Sequence, residues 1–197
     1  MKLIHTGDLH IGKSMNDFSQ LPDQRYILDQ LLEAAREEKA DAFLIAGDVY
    51  DRAVPPAEAV KLLDEFFTQL LAEGIPVLVI AGNHDSPERL GFGEAILEKG
   101  LYIAGASRSP LKQVTLTDEY GPVNFYLMPF VRPAAAGCRT TEEAVASLLP
   151  KELDEQERNV LITHFFVTWQ EREPELSDAE TTIHVGGIDN VDGRCFA

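Results

Sequence analysis

Residues 41–52, DAFLIAGDVYDR, pass from an unbroken apolar run directly into a group of polar side chains. Residues 3–6 (LIHT) and 75–81 (IPVLVIA) follow the same pattern, and each run is followed by a glycine and then by polar residues. The apolar runs are continuous rather than alternating, which is typical of strands in a parallel sheet covered on both faces. These stretches therefore predict a parallel sheet with polar residues at its strand ends.

Amphipathic stretches separate the predicted strands. Residues 22–39 carry apolar side chains at three- and four-residue spacing, among them Leu31 and Ala35, which predicts a helix. Residues 55–73 form a second predicted helix, because a proline stands at its start and Gly74 lies just past its end. The alternation of strand and helix indicates an α/β fold.

The second half of the chain has a different pattern. Its predicted elements are a short strand at 101–103, a β-hairpin of 111–116 and 123–128 around the turn 118–122, a helix at 140–149 and a buried strand at 159–163. Residues 171–180 are polar and acidic and predict an exposed loop. Neither repeats nor a change of composition mark a boundary, so residues 1–197 are expected to form one domain.

The composition excludes some classes of protein. Hydrophobic residues make up 45% of the 197 residues, and no apolar stretch reaches the roughly 20 residues that cross a bilayer. The first residues, MKLIHTGD, lack the features of a signal peptide. The two cysteines, Cys138 and Cys195, lie far apart in the sequence. These features predict a cytoplasmic protein with reduced thiols and no membrane partner.

The net charge of −16 argues against a basic module that coats nucleic acid. Two interpretations remain open. The acidic surface has no nucleic-acid role, or acidic residues gather around cations that reverse the local field. Composition does not choose between them.

Side chains that can bind metals follow the predicted strands. If the strands are parallel neighbours, these side chains converge beyond the carboxyl ends of the sheet, where α/β proteins bind their ligands. The candidates are Asp8 and His10 after the first strand, Asp48 after the second, Asn83 and His84 after the third, and His164 after the strand at 159–163. Each motif alone is a weak signal, but their combination in this order predicts a metal centre.

The ligand types indicate which metals bind there. Carboxylates, imidazoles and an amide, without a thiolate, favour Mn²⁺, Fe²⁺ or Mg²⁺ over a structural zinc site. A carboxylate such as Asp48 can bridge two cations, and two cations about 3.5–4 Å apart suit in-line attack on phosphorus. The sequence therefore predicts two divalent cations and hydrolysis of a phosphate ester.

These motifs resemble a known family. D-x-H at 8–10, G-D-x-x-D at 47–51, G-N-H-D at 82–85 and the later His164 resemble the calcineurin-like metallophosphoesterase superfamily. The longer stretches DLHIGK, GDVYDR and GNHDSPERLGFG resemble, within it, the SbcD family of bacterial nuclease subunits. The resemblance implies a β-sandwich flanked by helices. It also implies Mn²⁺-dependent exonuclease and endonuclease action on DNA ends and hairpins, in DNA repair, recombination and replication.

The resemblance implies partners and ligand roles as well. The expected partners are DNA, the SMC-like coiled-coil ATPase SbcC and a second copy of the chain, since the full-length family forms homodimers. By motif, Asp8 and His10 hold the first metal, Asp48 bridges both metals, and Asn83 and His164 hold the second.

Four further residues have implied roles. His84 resembles the superfamily's catalytic histidine, which stabilises the transition state or protonates the leaving oxygen. Asp51 resembles the acid that orients this histidine. Arg52 and Arg89 are expected to contact phosphate, and for each of them an ion pair that stabilises the fold is the alternative.

The sequence departs from the family pattern after His164. The family closes its site with a G-H-x-H motif, which this chain lacks. His184 stands in TIHVGG, and we expect it in an exposed loop or short strand rather than as a substitute ligand. Each metal is then expected to lack one histidine. We also expect the C-terminal DNA-facing and ATPase-binding regions to be absent, as in a truncated domain.

Three functions stay open from the sequence. The first is a DNA nuclease domain, active or impaired by truncation. The second is a metallophosphoesterase that acts on phosphoproteins, cyclic nucleotides or other small phosphodiesters. The third is a non-catalytic binding module that holds one metal or none.

Overall fold

A computed structural model of the chain describes residues 1–16, 18–97, 100–151, 153–154, 156–169 and 190–196. The chain divides into two compact units, and the single domain expected from the sequence stays a prediction. The first unit comprises residues 1–130 and 152–164, and the second comprises residues 131–151 and 165–197.

Among the described residues, the first unit contains the larger sheets and most of the helices. Its elements are β1 (Leu3–Thr6), β2 (Ser14–Met15), β3 (Phe18–Ser19), α1 (Leu21–Glu37), β4 (Ala42–Ala46), α2 (Ala57–Ala72), β5 (Val77–Ile80), α3 (Pro87–Leu90), β6 (Leu101–Ala104), β7 (Lys112–Asp118), β8 (Gly121–Met128) and β9 (Arg158–Thr163).

The predicted parallel sheet is confirmed. Its strand order is β1–β4–β5–β6, and every neighbouring pair is parallel. The order in the sheet follows the order in the chain, so the carboxyl ends of consecutive strands lie side by side at one edge. This is the arrangement that the convergence of the candidate ligands requires.

The continuous apolar runs are explained by a hydrophobic core on each face of this sheet. Within β4, Phe43 and Ile45 belong to the core formed with α1 and α2, whereas Leu44 belongs to the core formed with β7, β8 and β9. Successive side chains of a strand point to opposite faces, so a strand between two cores has no polar face. The predicted sandwich flanked by helices is therefore confirmed.

The second sheet has the order β7–β8–β9, with β7 and β8 antiparallel and β8 and β9 parallel. The predicted hairpin is confirmed. Arg158, the first residue of β9, donates to both carboxylate oxygens of Asp118 at 2.9 and 2.7 Å and to the carbonyl of Gly121 at 2.6 Å. These bonds tie the start of β9 to the hairpin, and β9 carries His164 beyond its other end.

The second unit is smaller. Its described elements are a 3₁₀ turn (Pro133–Ala136), α4 (Thr141–Leu148), β10 (Phe166–Thr168), β11 (Asn190–Asp192) and a 3₁₀ turn (Gly193–Phe196). Strands β10 and β11 pair in parallel. Thr140 caps α4 by accepting the N–H of Glu143 at 3.1 Å, which satisfies one of the free amides at a helix start.

The predicted helices and strands are confirmed to within a few residues at their ends. The short β2–β3 hairpin and α3 have no counterpart among the predictions, because elements of two to four residues show no periodicity. The loop predicted at 171–180 lies outside the described residues. Within the described ranges, no helix is long and apolar enough to cross a membrane.

Asp118→Asn is expected to lower the free energy of unfolding at pH 7, because it removes the carboxylate that Arg158 holds. That contact places the pKa of Asp118 well below its ordinary value of 3.8. The stabilisation is therefore complete above the ordinary pKa of 3.8 and is lost as the pH falls from there towards the lower folded-state pKa. The difference from the wild type persists from pH 7 to about pH 4 and shrinks below it. Urea denaturation at several pH values measures it.

Glu38→Gln is the matched control. Glu38 pairs with Lys2 on an exposed surface, where ion pairs contribute little. Equal urea midpoints for Asp118→Asn and Glu38→Gln at pH 7 would contradict the role given to Asp118.

Candidate metal centre

The candidate ligands meet at the edge predicted for them. Asp8 and His10 lie in the loop after β1, Asp48 in the loop after β4, and Asn83 and His84 in the loop after β5. His164 directly follows β9 of the second sheet. All six residues belong to the first unit.

Asp48 is the buried centre of this group, with 3% of its surface exposed. Its Oδ1 accepts the backbone N–H of His84 at 2.9 Å. Three imidazoles surround the carboxylate: Nε2 of His164 lies 3.5 Å from Oδ1, and Nε2 of His10 and His84 lie 3.7 and 3.9 Å from Oδ2. These separations exceed ordinary hydrogen-bond lengths. The groups therefore converge on Asp48 without closing on it, as ligands around a cation do.

Among the residues that the structure describes, two groups could hold a metal ion. One is His10, Asp48 and His84, and the other is Asp8, Asp48 and His164. Within each group the ligand atoms lie within 4.8 Å of one another. Asp48 belongs to both groups, as a carboxylate that bridges two cations would.

The donor chemistry of these groups fits a divalent cation. Their atoms are carboxylate oxygens and imidazole nitrogens, and the described candidates include no thiolate. His10 Nδ1 is buried and has no hydrogen-bond partner among the described residues. His10 Nε2 lies 3.7 Å from both Asp8 and Asp48. A partly buried imidazole so poorly paired between two carboxylates fits a site that takes a further ligand.

Main-chain carbonyls set the tautomers of two histidines. His164 Nδ1 lies 2.7 Å from the carbonyl of Ala46, and His84 Nδ1 lies 2.9 Å from the carbonyl of Asp51. A carbonyl oxygen only accepts, so in both rings Nδ1 carries the proton and donates it. In the neutral rings the lone pair is then on Nε2, which faces Asp48. Such outer contacts orient metal-binding histidines.

Asn83 lies beside His164, with 3.1 Å between its Oδ1 and His164 Nε2. Burial lowers the pKa of His164, but Asp48 and the Ala46 carbonyl raise it by more, and the net shift is upward. A proton on Nε2 can therefore bridge to the amide oxygen. A cation and a proton compete for the same lone pair, because a ligand histidine must be neutral.

The charges of the site are mutually stabilising. Interaction with the Asp8 carboxylate raises the pKa of His10 despite its partial burial. Burial raises the pKa of Asp48, but His164 and the backbone N–H of His84 lower it by more. The buried carboxylate therefore stays ionised at neutral pH and is available to cations.

Two glycines allow this close approach. Gly47 has φ 88°, and a Cβ there would overlap the ring of His164. A Cβ on Gly82 would overlap Oδ1 and the backbone nitrogen of Asp48. The glycines that follow the second and third apolar runs in the sequence thus stand where a larger residue would block this approach.

Asp85 is a residue of this site that the sequence did not single out. It is 6% exposed, and its carboxylate accepts the N–H groups of Gly82 (2.8 Å), Tyr50 (2.9 Å) and Val49 (3.1 Å). Burial and nearby Asp48 raise the pKa of Asp85 against these hydrogen bonds. Asp85 thus joins the loop after β4 to the loop after β5. Within the run Gly-Asn-His-Asp, no sequence signal separates a ligand from such a brace.

The contact of Asp51 with His84 differs in detail from the expected one. The main-chain carbonyl of Asp51 accepts from the ring, whereas its carboxylate lies 3.7 Å from Arg52. The side chain of Arg52 is 60% exposed, so this pair is weak. Arg89 is exposed and lines a groove with Tyr50, Ser86 and Phe92. His184 lies outside the described residues.

Comparisons with known proteins identify the family of the chain. Residues 1–189 match the family model of the calcineurin-like phosphoesterases. The chain belongs to this family. It is also similar to the SbcD subunit of the nuclease SbcCD of Staphylococcus saprophyticus, with 36% identity over 208 aligned residues that include 100% of this chain and 53% of the relative. The chain thus spans about half the length of the curated relative that it matches.

Gly82→Ala is expected to weaken Mn²⁺ binding, because the added methyl group displaces the Asp48 carboxylate. Isothermal titration calorimetry with Mn²⁺ measures the loss, and circular dichroism reports whether the variant folds. We expect a rise of the dissociation constant of about 100-fold.

Gly74→Ala separates this effect from general destabilisation. Gly74 has φ 76° and no atom near an added Cβ, so the substitution costs about 1 kcal/mol of backbone strain without reaching the site. Wild-type Mn²⁺ affinity in Gly82→Ala would show that Asp48 is not a ligand.

Proposed function

We propose that this chain is the catalytic region of a Mn²⁺-dependent nuclease that hydrolyses phosphodiester bonds at DNA ends or hairpins. The position of Asp48 in both candidate metal groups supports this proposal most directly. Two divalent cations sharing a carboxylate suit phosphodiester hydrolysis, since when bound they neutralise the phosphate and supply a nucleophile at neutral pH. Mg²⁺ and Fe²⁺ are the other metals compatible with the donors.

We assign the ligands as the resemblance implies. Asp8 and His10 hold one cation, Asn83 and His164 the other, and Asp48 both. The 3.1 Å contact between Asn83 and His164 and the 3.7 Å separation of His10 from Asp8 support this pairing. The two groups described above divide the ligands differently, with Asp8 beside His164 and His10 beside His84, and agree with this pairing only in the shared Asp48.

His84 is the proposed catalytic residue. Its Nδ1 is bound to the Asp51 carbonyl, so the ring is held while Nε2 remains directed towards the centre. The side chain is 45% exposed, which gives a substrate access to the ring. Protonated at Nε2, His84 can donate to a phosphate oxygen or to the leaving oxygen. The role that we give to Asp51 therefore belongs to its main chain.

Binding of DNA is expected to be weak for this chain alone. The net charge of −16 repels the phosphate backbone. The exposed Arg52 and Arg89 are the proposed phosphate contacts of this chain. The name of the similar SbcD protein, which marks it as part of the SbcCD complex, supports an SMC-like ATPase of the SbcC type as the partner that adds DNA affinity. A cytoplasmic location remains a prediction from the sequence.

A second copy of the chain is the other proposed partner. Val60 and Phe92, which line the groove of Arg89, are 45% and 85% exposed, and nearby in sequence Ile96 is 85% exposed. Exposed apolar surface of this kind marks protein interfaces. It supports the homodimer that the resemblance implies.

The central test is degradation of end-labelled duplex DNA by this chain in Mn²⁺. His84→Ala is expected to reduce the rate by about 10²–10⁴-fold, because it removes the proton donor. Asp51→Asn, which keeps the main-chain carbonyl, is expected to stay within about tenfold of the wild type. His5→Ala, an exposed histidine of β1, is the matched control.

The same enzyme preparations are assayed on bis(p-nitrophenyl) phosphate. Hydrolysis of this ester without cleavage of DNA would favour a phosphodiesterase of another substrate class. A wild type that binds Mn²⁺ but hydrolyses neither DNA nor this ester would favour a non-catalytic or impaired fragment. If Asp51→Asn proves as inactive as His84→Ala, the carboxylate rather than the carbonyl orients the histidine.

Val60→Asp combined with Phe92→Asp is expected to convert a dimer into a monomer, because a buried charge destabilises an apolar interface. Sedimentation equilibrium at micromolar concentration measures the mass. Phe18→Asp, which changes an exposed aromatic residue in β3, is the control. A monomeric wild type would refute the homodimer for this chain.

A further inference from the structure

The loop that carries Asp8 and His10 has a costly backbone. Asp8 has φ 54° and His10 has φ 44°, both in the left-handed region that residues other than glycine avoid. Such conformations persist where the surrounding structure over-determines them. The contacts of this loop therefore decide where its two ligand side chains point.

One side of the loop is bound to the loop after β4. Backbone N–H groups of the first loop donate to successive carbonyls of the second. The bonds are Asp8 to Gly47 at 3.1 Å, His10 to Asp48 at 2.9 Å and Ile11 to Val49 at 2.9 Å. The carbonyl of Ile11 in turn accepts the N–H of Asp51 at 3.2 Å, so in this loop the carbonyls of Leu9 and His10 depend on partners outside the loop after β4.

Gln24, in the first turn of α1, binds the other side. Its Nε2 donates to the carbonyl of His10 at 2.7 Å and lies 3.4 Å from the carbonyl of Leu9. Its Oε1 accepts the N–H of Gly12 at 2.9 Å. A primary amide suits this position because it donates and accepts at the same end of one side chain.

The placement of Gln24 supports a specific role. The residue is half-buried and lines a cavity of about 420 Å³ together with Asp8 and Leu9. The carbonyl of His10 also accepts the N–H of Lys13 at 3.1 Å, so Gln24 is not its only donor. Gln24 is distinctive because one side chain contacts the loop on both sides of His10.

We propose that Gln24 is a positioning residue of the metal centre. It holds residues 9–12 so that Asp8 and His10 reach the same cation. The inference rests on the metal centre proposed above and extends it to a residue outside every metal-binding motif. Gln24 acts through the backbone and touches neither cation nor substrate.

The test is Mn²⁺ affinity, measured by calorimetry on the full chain with Gln24→Ala, Gln24→Glu and Gln30→Ala. Gln24→Ala is expected to raise the dissociation constant by about 10–100-fold, as loss of an outer-sphere contact does. Gln24→Glu has nearly the same shape and keeps the acceptor for Gly12, but it cannot donate to His10. We expect it to weaken binding to a similar extent. Gln30→Ala, an exposed glutamine of the same helix, is expected to stay within about twofold of the wild type.

The ring resonances of His10, followed by NMR during a parallel titration with diamagnetic Mg²⁺, give a readout that a merely structural role does not change. Unfolding midpoints are measured in parallel. Lower midpoints with wild-type Mn²⁺ affinity in the folded variants would overturn the proposal. A wild type that binds no Mn²⁺ would overturn both this proposal and the metal centre. A wild type that binds Mn²⁺ without cutting DNA would overturn the nuclease proposal alone.

Discussion

The ionised carboxylate of Asp48 is buried between the ends of two sheets, and the positions of the surrounding loops and imidazoles depend on it. Removing such a charge from water is costly unless hydrogen bonds and opposite charges compensate. Here one backbone N–H does so, and the three imidazoles around the carboxylate do so only when they are protonated, yet none of them closes on it. Gly47 and Gly82 leave room for this crowding, and Asp85 holds the neighbouring loops in register. The site is thus arranged to keep one anion buried and incompletely neutralised.

The strand ends could be read from the sequence because two independent patterns coincide there. Continuous apolar runs identify strands with two covered faces, and β4 shows why, since Phe43 and Leu44 belong to opposite cores. The strand order then follows the chain, so residues such as Asp8, Asp48 and Asn83 had to meet at one edge. His164 was predicted by motif, but only the register of β8 with β9 explains how a strand of the other sheet delivers it.

The residues that hold the loops of the site in place could not be predicted from the sequence in the same way. Gln24 lies in an amphipathic helix, where a polar residue ordinarily faces solvent, and its bonds go to backbone atoms that leave no trace in the sequence. In the sequence, Asp85 looks like one more ligand in a run of polar residues, although its carboxylate accepts hydrogen bonds from three backbone amides. The carbonyl of Asp51 illustrates the same limit, because main-chain acceptors are independent of residue type. Sequence patterns report side-chain chemistry, whereas these contacts depend on where the backbone runs.

The bond between His164 and Ala46 joins positions 118 residues apart and links the last strand of one sheet to the second strand of the other. A cation held by Asp48 and His164 would cross-link the two layers in the manner of a disulfide that closes a long loop, an effect that grows with loop length. Metal occupancy and the docking of the two sheets would then be thermodynamically linked, each favouring the other. The metal centre would in this way also stabilise the β-sandwich that contains it.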